Sequence, residues 1–137
     1  MRYISVMLLL TISWACTGPK HSVAAANPLN GTWIPVKQEI GGKALPAAAY
    51  AAQKLVISDS NYIFTAESVD KGIARYNDGK MDIYGKEGVN KGKHFMAIYK
   101  LENGELSICY NLKGDKYPDG YDTKTSPLFF LSVFKKE

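Results

Sequence analysis

Apolar and polar residues alternate along much of the chain after residue 31, which is the pattern of half-buried β-strands. Met81 and Ile83 flank Asp82, and Leu106 and Ile108 lie on either side of Ser107. Short runs of this kind, separated by turn-forming residues, predict an all-β protein. The predicted strands are 32–40, 54–58, 61–65, 72–76, 80–84, 94–101, 105–111 and 128–135.

The segments between these strands predict how the strands are connected. Asp78-Gly79 and Asn103-Gly104 are typical of tight hairpins because their residues tolerate a positive φ. About eight strands is the number that a small closed barrel uses. We therefore expect a small antiparallel up-and-down β-barrel of about eight strands. The last strand is apolar on both faces, so it needs the barrel interior on one side and a cover on the other.

One segment departs from the β pattern. Pro46 suits a first helical turn and is followed by an alanine-rich run, which predicts a short helix over 46–53 between the first two strands. This helix could cap the barrel mouth with Tyr50 turned inward. A helix that covers a barrel end and gates nothing is the favoured alternative.

The first strand opens on Gly31-Thr32-Trp33. An indole in this place can plug one end of a small barrel, since it buries a large apolar area while its N–H reaches a carbonyl at the rim. Gly31 and Trp33 are therefore predicted to have structural roles.

An export leader precedes the barrel. Residues 4–12 form a short apolar run behind Met1-Arg2-Tyr3, which is typical of a secretory signal and too short to span a bilayer. Residues 1–28 are interpreted as signal peptide and tether, and 29–137 as the barrel domain. Ser13-Trp14-Ala15-Cys16 resembles a lipobox, so Cys16 is the favoured lipidation site and membrane anchor, with cleavage near Ala26 as the alternative. Both predict a protein of the cell envelope, membrane-anchored or else periplasmic or secreted.

Charge adds little to this picture. The formal net charge is +4, and the lysines are dispersed, so a solvated surface is expected and a nucleic-acid partner is not. A monomer is expected.

Catalytic and metal-binding groups are sparse. Cys109 has no disulfide partner once Cys16 is lipidated or removed, and a Cys in a strand pattern is typically a small buried hydrophobe. His94 is the one base that could pair with it. The acidic residues of the loop 112–127 lack the spacing of a calcium site. No enzyme activity, metal or cofactor is expected.

Several segments together resemble an uncharacterised bacterial lipocalin-like domain family that is abundant in planctomycetes. They are 29–33, 41–46, 81–83, 97–101 and 105–110. The resemblance implies a calycin-type barrel and carries no assigned activity. Calycin barrels commonly stack an Arg over the first-strand Trp, and Lys135 is the residue expected to take that place over Trp33. This chain also has Tyr117-Pro118 where the family often has Arg-Pro.

Tyrosines are the candidate ligand-binding residues, because each offers an apolar body with a polar tip. The leading hypothesis is a small apolar or amphipathic ligand held in the barrel or at its mouth. The alternative is a filled barrel that binds another envelope protein or polymer through its loops, with Trp33, Phe64, Phe95 and Phe130 closing the core. The volume of the interior discriminates the two. The candidate tyrosines are Tyr50, Tyr99, Tyr110, Tyr117 and Tyr121.

Overall fold

The computed structural model describes residue 18 and residues 24–137. Cys16, the predicted lipidation site, lies outside the described residues, as does most of the predicted leader. Within the part of the chain that is described, no helix is long and apolar enough to cross a membrane.

The chain folds into a closed barrel. Each strand pairs antiparallel with its neighbour in the sheet, and β1 pairs with both β3 and β9, which closes eight strands into a cylinder. The ninth strand, β2, only forms a small hairpin with the end of β1. The predicted antiparallel up-and-down barrel is thereby confirmed. The strands are β1 (Gly31–Ile40), β2 (Lys43–Ala44), β3 (Lys54–Ser58), β4 (Asn61–Thr65), β5 (Val69–Asn77), β6 (Lys80–Glu87), β7 (His94–Glu102), β8 (Glu105–Asn111) and β9 (Phe129–Lys136).

The two ends of the barrel differ. At one end, which we call the closed end, lie the two-residue turns 59–60, 78–79 and 103–104 and the segment before β1. Asp78 and Asn103 adopt positive φ in these turns, as the hairpin sequences predict. The opposite end, the open end, carries the connections 41–53, 66–68, 88–93 and 112–128.

Trp33 plugs the closed end. Its side chain is 1% exposed, and its Nε1–H donates a hydrogen bond of 2.8 Å to the carbonyl oxygen of Leu29. Gly31 adopts a φ of +135°, and a Cβ there would lie 2.5 Å from Cε of Lys136. The segment that enters β1 therefore needs glycine at this position.

Lys136, and not Lys135, takes the place over the indole. Its Nζ lies 5.4 Å from the centroid of the Trp33 ring. The register explains the correction, because Trp33 is directly opposite Lys136 and side chains alternate between the faces of a strand. Lys135 is on the other face, with its Nζ 3.7 Å from Glu105 Oε1.

The last strand packs on both faces, as its sequence predicts. Phe134 belongs to the main core inside the barrel, whereas Phe129 and Leu131 form a second apolar cluster with Cys109 on the outer wall. Tyr121 from the loop 112–128 packs against this second cluster. The long loop is thus the cover that β9 requires.

The helix predicted over 46–53 is much shorter in the structure. It is a single 3-10 turn, Ala47–Ala49, that buries none of its residues. Alanine favours a helix, but a short helix needs packing to persist, and this segment packs too little.

Candidate functional site

A cavity of about 200 Å³ lies at the open end of the barrel. Phe64, Phe95 and Phe130 supply much of its apolar wall, together with Leu112 from the start of the long loop. Cavities of about 150 Å³ can hold benzene, and sites for drug-sized ligands start near 300 Å³. This cavity therefore has the size for a ligand of one ring or slightly more.

One polar group in the wall is Gln38, which a β-bulge turns inward. The pairing of β1 with β9 shifts by one residue between Pro35 and Lys37, so the inward-facing positions change from odd to even numbers. The Gln38 Nε2 donates to Gln53 Oε1 at 2.6 Å and to Ser132 Oγ at 3.2 Å. The bulge thereby places the Gln38 amide beside the Ser132 hydroxyl group on one wall of the cavity.

Another polar group is the carboxylate of Asp70, which is 5% exposed. The backbone N–H of Asn90 donates to Oδ1 at 3.1 Å, and the Asn90 Nδ2 donates to Oδ2 at 3.0 Å. Gly88 has a φ of +87°, and a Cβ there would clash with Asp70 Oδ1 and with the carbonyl oxygen of Val69. Only glycine at this position lets the loop 88–93 close on the carboxylate.

Among the residues that the structure describes, no cation forms an ion pair with Asp70. None of the ion pairs formed by the described residues includes this carboxylate. Lys93 comes close to the same network, with its Nζ 3.4 Å from Asn90 Oδ1, but that side chain is at the exposed surface. In the described part of the chain, Asp70 is thus a buried acceptor whose hydrogen bonds come from the backbone and side-chain amides of Asn90.

Two phenols line the same cavity. Burial raises the pKa of Tyr62, and the nearby negative charge of Asp70 raises it further. Burial also raises the pKa of Tyr110, whose ring stacks on Phe130 with centroids 5.8 Å apart. Both hydroxyl groups therefore remain protonated near neutral pH and can donate a hydrogen bond to a ligand.

Of the five tyrosines predicted to bind a ligand, Tyr110 alone lines this cavity. Tyr99 lies deeper in the barrel, edge-on to Tyr76 with ring centroids 5.7 Å apart. Tyr50 does not turn inward, since its hydroxyl donates to the carbonyl oxygen of Val36 at 3.3 Å in an exposed setting. The prediction fails at Tyr50 because the helix that was to orient it does not form.

The remaining two predicted tyrosines lie on the outer wall. The Tyr117 hydroxyl donates to Asp82 Oδ2 at 2.6 Å, and Lys100 Nζ lies 4.8 Å from the centroid of the Tyr121 ring. These contacts fasten the loop 112–128 to the barrel. The two residues hold the fold here and do not contact the cavity.

Asp82 also holds His94, with 2.7 Å between Asp82 Oδ1 and His94 Nε2, and the Tyr84 ring stacks on the imidazole. Burial alone would raise the pKa of Asp82, but the hydrogen bonds from Tyr117 and His94 outweigh it and lower the pKa below its usual value. A carboxylate that orients an imidazole is one part of a catalytic triad. A triad also requires a nucleophile within reach of the imidazole.

Cys109, the thiol considered for that role, is fully buried and free. It lies between Ile98 and Leu131 in the sheet, whereas His94 bonds to Asp82. Burial, and to a lesser extent the charge of Glu39, raises the pKa of the thiol to about 11. This thiol packs as a small hydrophobe, as its strand position predicts.

Sequence reasoning missed most of the polar residues at the cavity. Asp70 lies outside the predicted strand 72–76, and Ser132 was one polar position in an apolar strand. Phe64, Phe95 and Phe130, which would close the core in the filled-barrel alternative, line an open space instead. The signal that could have been used is a single polar residue at a position where the strand alternation calls for an apolar one. Ser132, between Phe130 and Phe134, is such a position.

Among the described residues, no group of three or more His, Cys, Asp or Glu side chains is placed to hold a metal ion. The chain matches no protein-family model, and neither a curated protein nor a solved structure is significantly similar to it.

Proposed function

We propose that this protein binds a small, mainly apolar or amphipathic molecule in the open end of its barrel and does not act as an enzyme. The observation that carries the proposal is the cavity of about 200 Å³, with aromatic walls and a few polar groups. Apolar walls with a small number of placed polar groups are typical of small-molecule sites, where the polar groups fix the orientation of the ligand.

The rival hypothesis, a binding module with a filled barrel, requires that side chains occupy the interior. Trp33 does fill the closed end. At the open end, Phe64, Phe95 and Phe130 surround space without occupying it. This difference between the two ends favours ligand binding over the filled-core alternative.

The place of action that we propose is the cell envelope. The leader 1–28 would export the chain, and a lipid on Cys16 would anchor it to a membrane with residues up to 28 as the tether. Such a tether leaves the barrel free to meet small molecules at the membrane surface.

Native mass spectrometry of the protein purified from its own envelope tests the proposal. We expect an added mass that is retained at low collision energy and lost on unfolding. Ser132→Leu fills part of the cavity and should abolish the added mass. Ser107→Leu is the matched control, because Ser107 lies on the outward face of β8, where it pairs with Val133.

An added mass in wild type that Ser132→Leu removes and Ser107→Leu keeps supports a ligand in the cavity. Wild-type protein without any added mass would contradict the proposal. If both variants retain the added mass equally, the ligand binds elsewhere on the protein, which would also contradict the proposal.

A further inference from the structure

Asp70 is a buried acidic residue in the wall of the cavity. Its carboxylate lies in the wall of an otherwise mainly apolar cavity and is almost fully buried. Burying a charge is costly unless an opposite charge or several hydrogen bonds compensate it. Asn90 supplies two hydrogen bonds, and among the described residues no ion pair supplies the opposite charge.

The hydrogen bonds leave Asp70 able to accept more. Each carboxylate oxygen has about two lone pairs, and Asn90 occupies one on each oxygen. Both oxygens act as acceptors in this arrangement. A ligand that donates hydrogen bonds and carries a positive charge would therefore complete the coordination of the carboxylate.

The aromatic wall favours the same kind of ligand. Tyr62, Phe64, Phe95, Tyr110 and Phe130 all line the cavity with Asp70. The faces of aromatic rings attract cations through their quadrupole, and more strongly where water is excluded. A carboxylate and several rings around one small space are complementary to an organic cation.

The charge of the whole molecule points the other way. The formal net charge is +4, so long-range electrostatics favour an anion over a cation. A preference for cations would therefore have to come from Asp70 and the rings around it. Removing the Asp70 carboxylate alone should therefore abolish the preference for cations.

We propose that the ligand is a small organic ammonium ion, a protonated amine on a compact apolar group, whose N–H groups donate to Asp70 while its apolar part packs against the phenylalanines. This inference rests on the proposed function, since it names the class of ligand for the same cavity. Charge-assisted hydrogen bonds are worth about 1.5–3 kcal/mol, which corresponds to a roughly 10- to 100-fold gain in affinity.

Isothermal titration calorimetry at pH 7 with two probes of equal size tests the inference. Benzylammonium carries the charge, and benzyl alcohol is its neutral counterpart. We expect benzylammonium to bind wild type roughly 10- to 100-fold more tightly than benzyl alcohol. Asp70→Asn should bring the two affinities close together. The control is Asp78→Asn, which makes the same charge change in an exposed turn at the closed end, where the φ of 49° suits Asn.

The outcomes separate the two proposals. Equal affinities for both probes in wild type would overturn the ammonium proposal and leave the binding function standing. A preference for benzylammonium that survives in Asp70→Asn would also overturn the ammonium proposal. Failure of both probes to bind would overturn the ammonium proposal, whereas the proposed function would fall only if native mass spectrometry also finds no added mass on wild type.

The wild-type comparison does not depend on any variant. If Asp70→Asn does not fold, NMR of wild type replaces it, with the side-chain amide of Asn90 as the reporter, because that amide donates to Asp70. Benzylammonium should shift this signal more than benzyl alcohol does. No difference between the two probes would overturn the proposal.

Discussion

Trp33→Ala is expected to lower the free energy of unfolding by roughly 3 to 5 kcal/mol, the usual cost of removing a large buried aromatic side chain. The indole is 1% exposed and packs within the main core of the barrel. Its N–H satisfies the carbonyl oxygen of Leu29 at 2.8 Å. Since small domains are stable by about 5–15 kcal/mol, the loss is a large fraction of the total.

Two milder substitutions divide this loss into its physical parts. Trp33→Phe keeps an aromatic ring but leaves the Leu29 carbonyl oxygen without its donor, for which we expect a cost of about 1–3 kcal/mol. Lys136→Ala removes the ammonium that lies 5.4 Å from the indole, an exposed cation–π contact worth about 0.5–1 kcal/mol. The expected order of destabilisation is Trp33→Ala, then Trp33→Phe, then Lys136→Ala.

Urea unfolding followed by far-UV circular dichroism measures these differences without relying on the fluorescence of the residue that is replaced. Lys135→Ala is the control, since Lys135 is on the opposite face and forms an exposed ion pair with Glu105, worth at most about 1 kcal/mol. A Trp33→Ala midpoint within error of wild type would refute the view that the indole closes the barrel. A Lys136→Ala midpoint within error of wild type would refute the assignment of Lys136 as the stacked lysine.

Three further predictions concern the outer wall and the leader. Because the pKa of Asp82 is lowered in the folded protein, this group stabilises the fold above its unfolded pKa of about 3.9, and the stabilisation is lost as the pH falls through the folded pKa. The difference in melting temperature between wild type and Asp82→Asn should therefore shrink from pH 7 to pH 3, and a constant difference would contradict this. Cys109, buried and with a pKa of about 11, should react slowly with iodoacetamide in the native protein and rapidly in denaturant; fast native labelling that falls in His94→Ala would show an activated thiol. Labelled palmitate should enter wild type and not Cys16→Ser; equal labelling, or none in wild type, would favour cleavage near Ala26.

Much of the barrel could be predicted because its strands obey local rules. Met81, Asp82 and Ile83 alternate as a half-buried strand does, and their burial in β6 follows that alternation. Asp78-Gly79 and Asn103-Gly104 form the two-residue turns that their backbone preferences predict. The two apolar faces of β9 likewise required a cover, which the loop 112–128 provides.

Predictions that depended on a contact beyond one strand were less successful. The segment 46–53 has the composition of a helix. Whether a helix forms there depends on the residues that pack against it, which the sequence of the segment does not specify. The choice between Lys135 and Lys136 depended on a register that a single strand does not specify. Tyr117 and Tyr121 were candidates for the cavity because a tyrosine offers an apolar body with a polar tip, yet their loop folds down along the outer wall.

The polar wall of the cavity shows most clearly why a site is harder to predict than its fold. Gln38 faces inward only because one extra residue in β1 reverses the alternation that precedes it, so a regular strand pattern assigns it to the surface. Asp70 weakens the strand signal of its own segment, and it is tolerated inside because Asn90, 20 residues later, donates to both of its oxygens. Each of these residues breaks a local rule, and each is buried at the cavity with a partner distant in sequence. Local rules are broken where function compensates for the cost, which is the reason to seek the ligand beside Asp70.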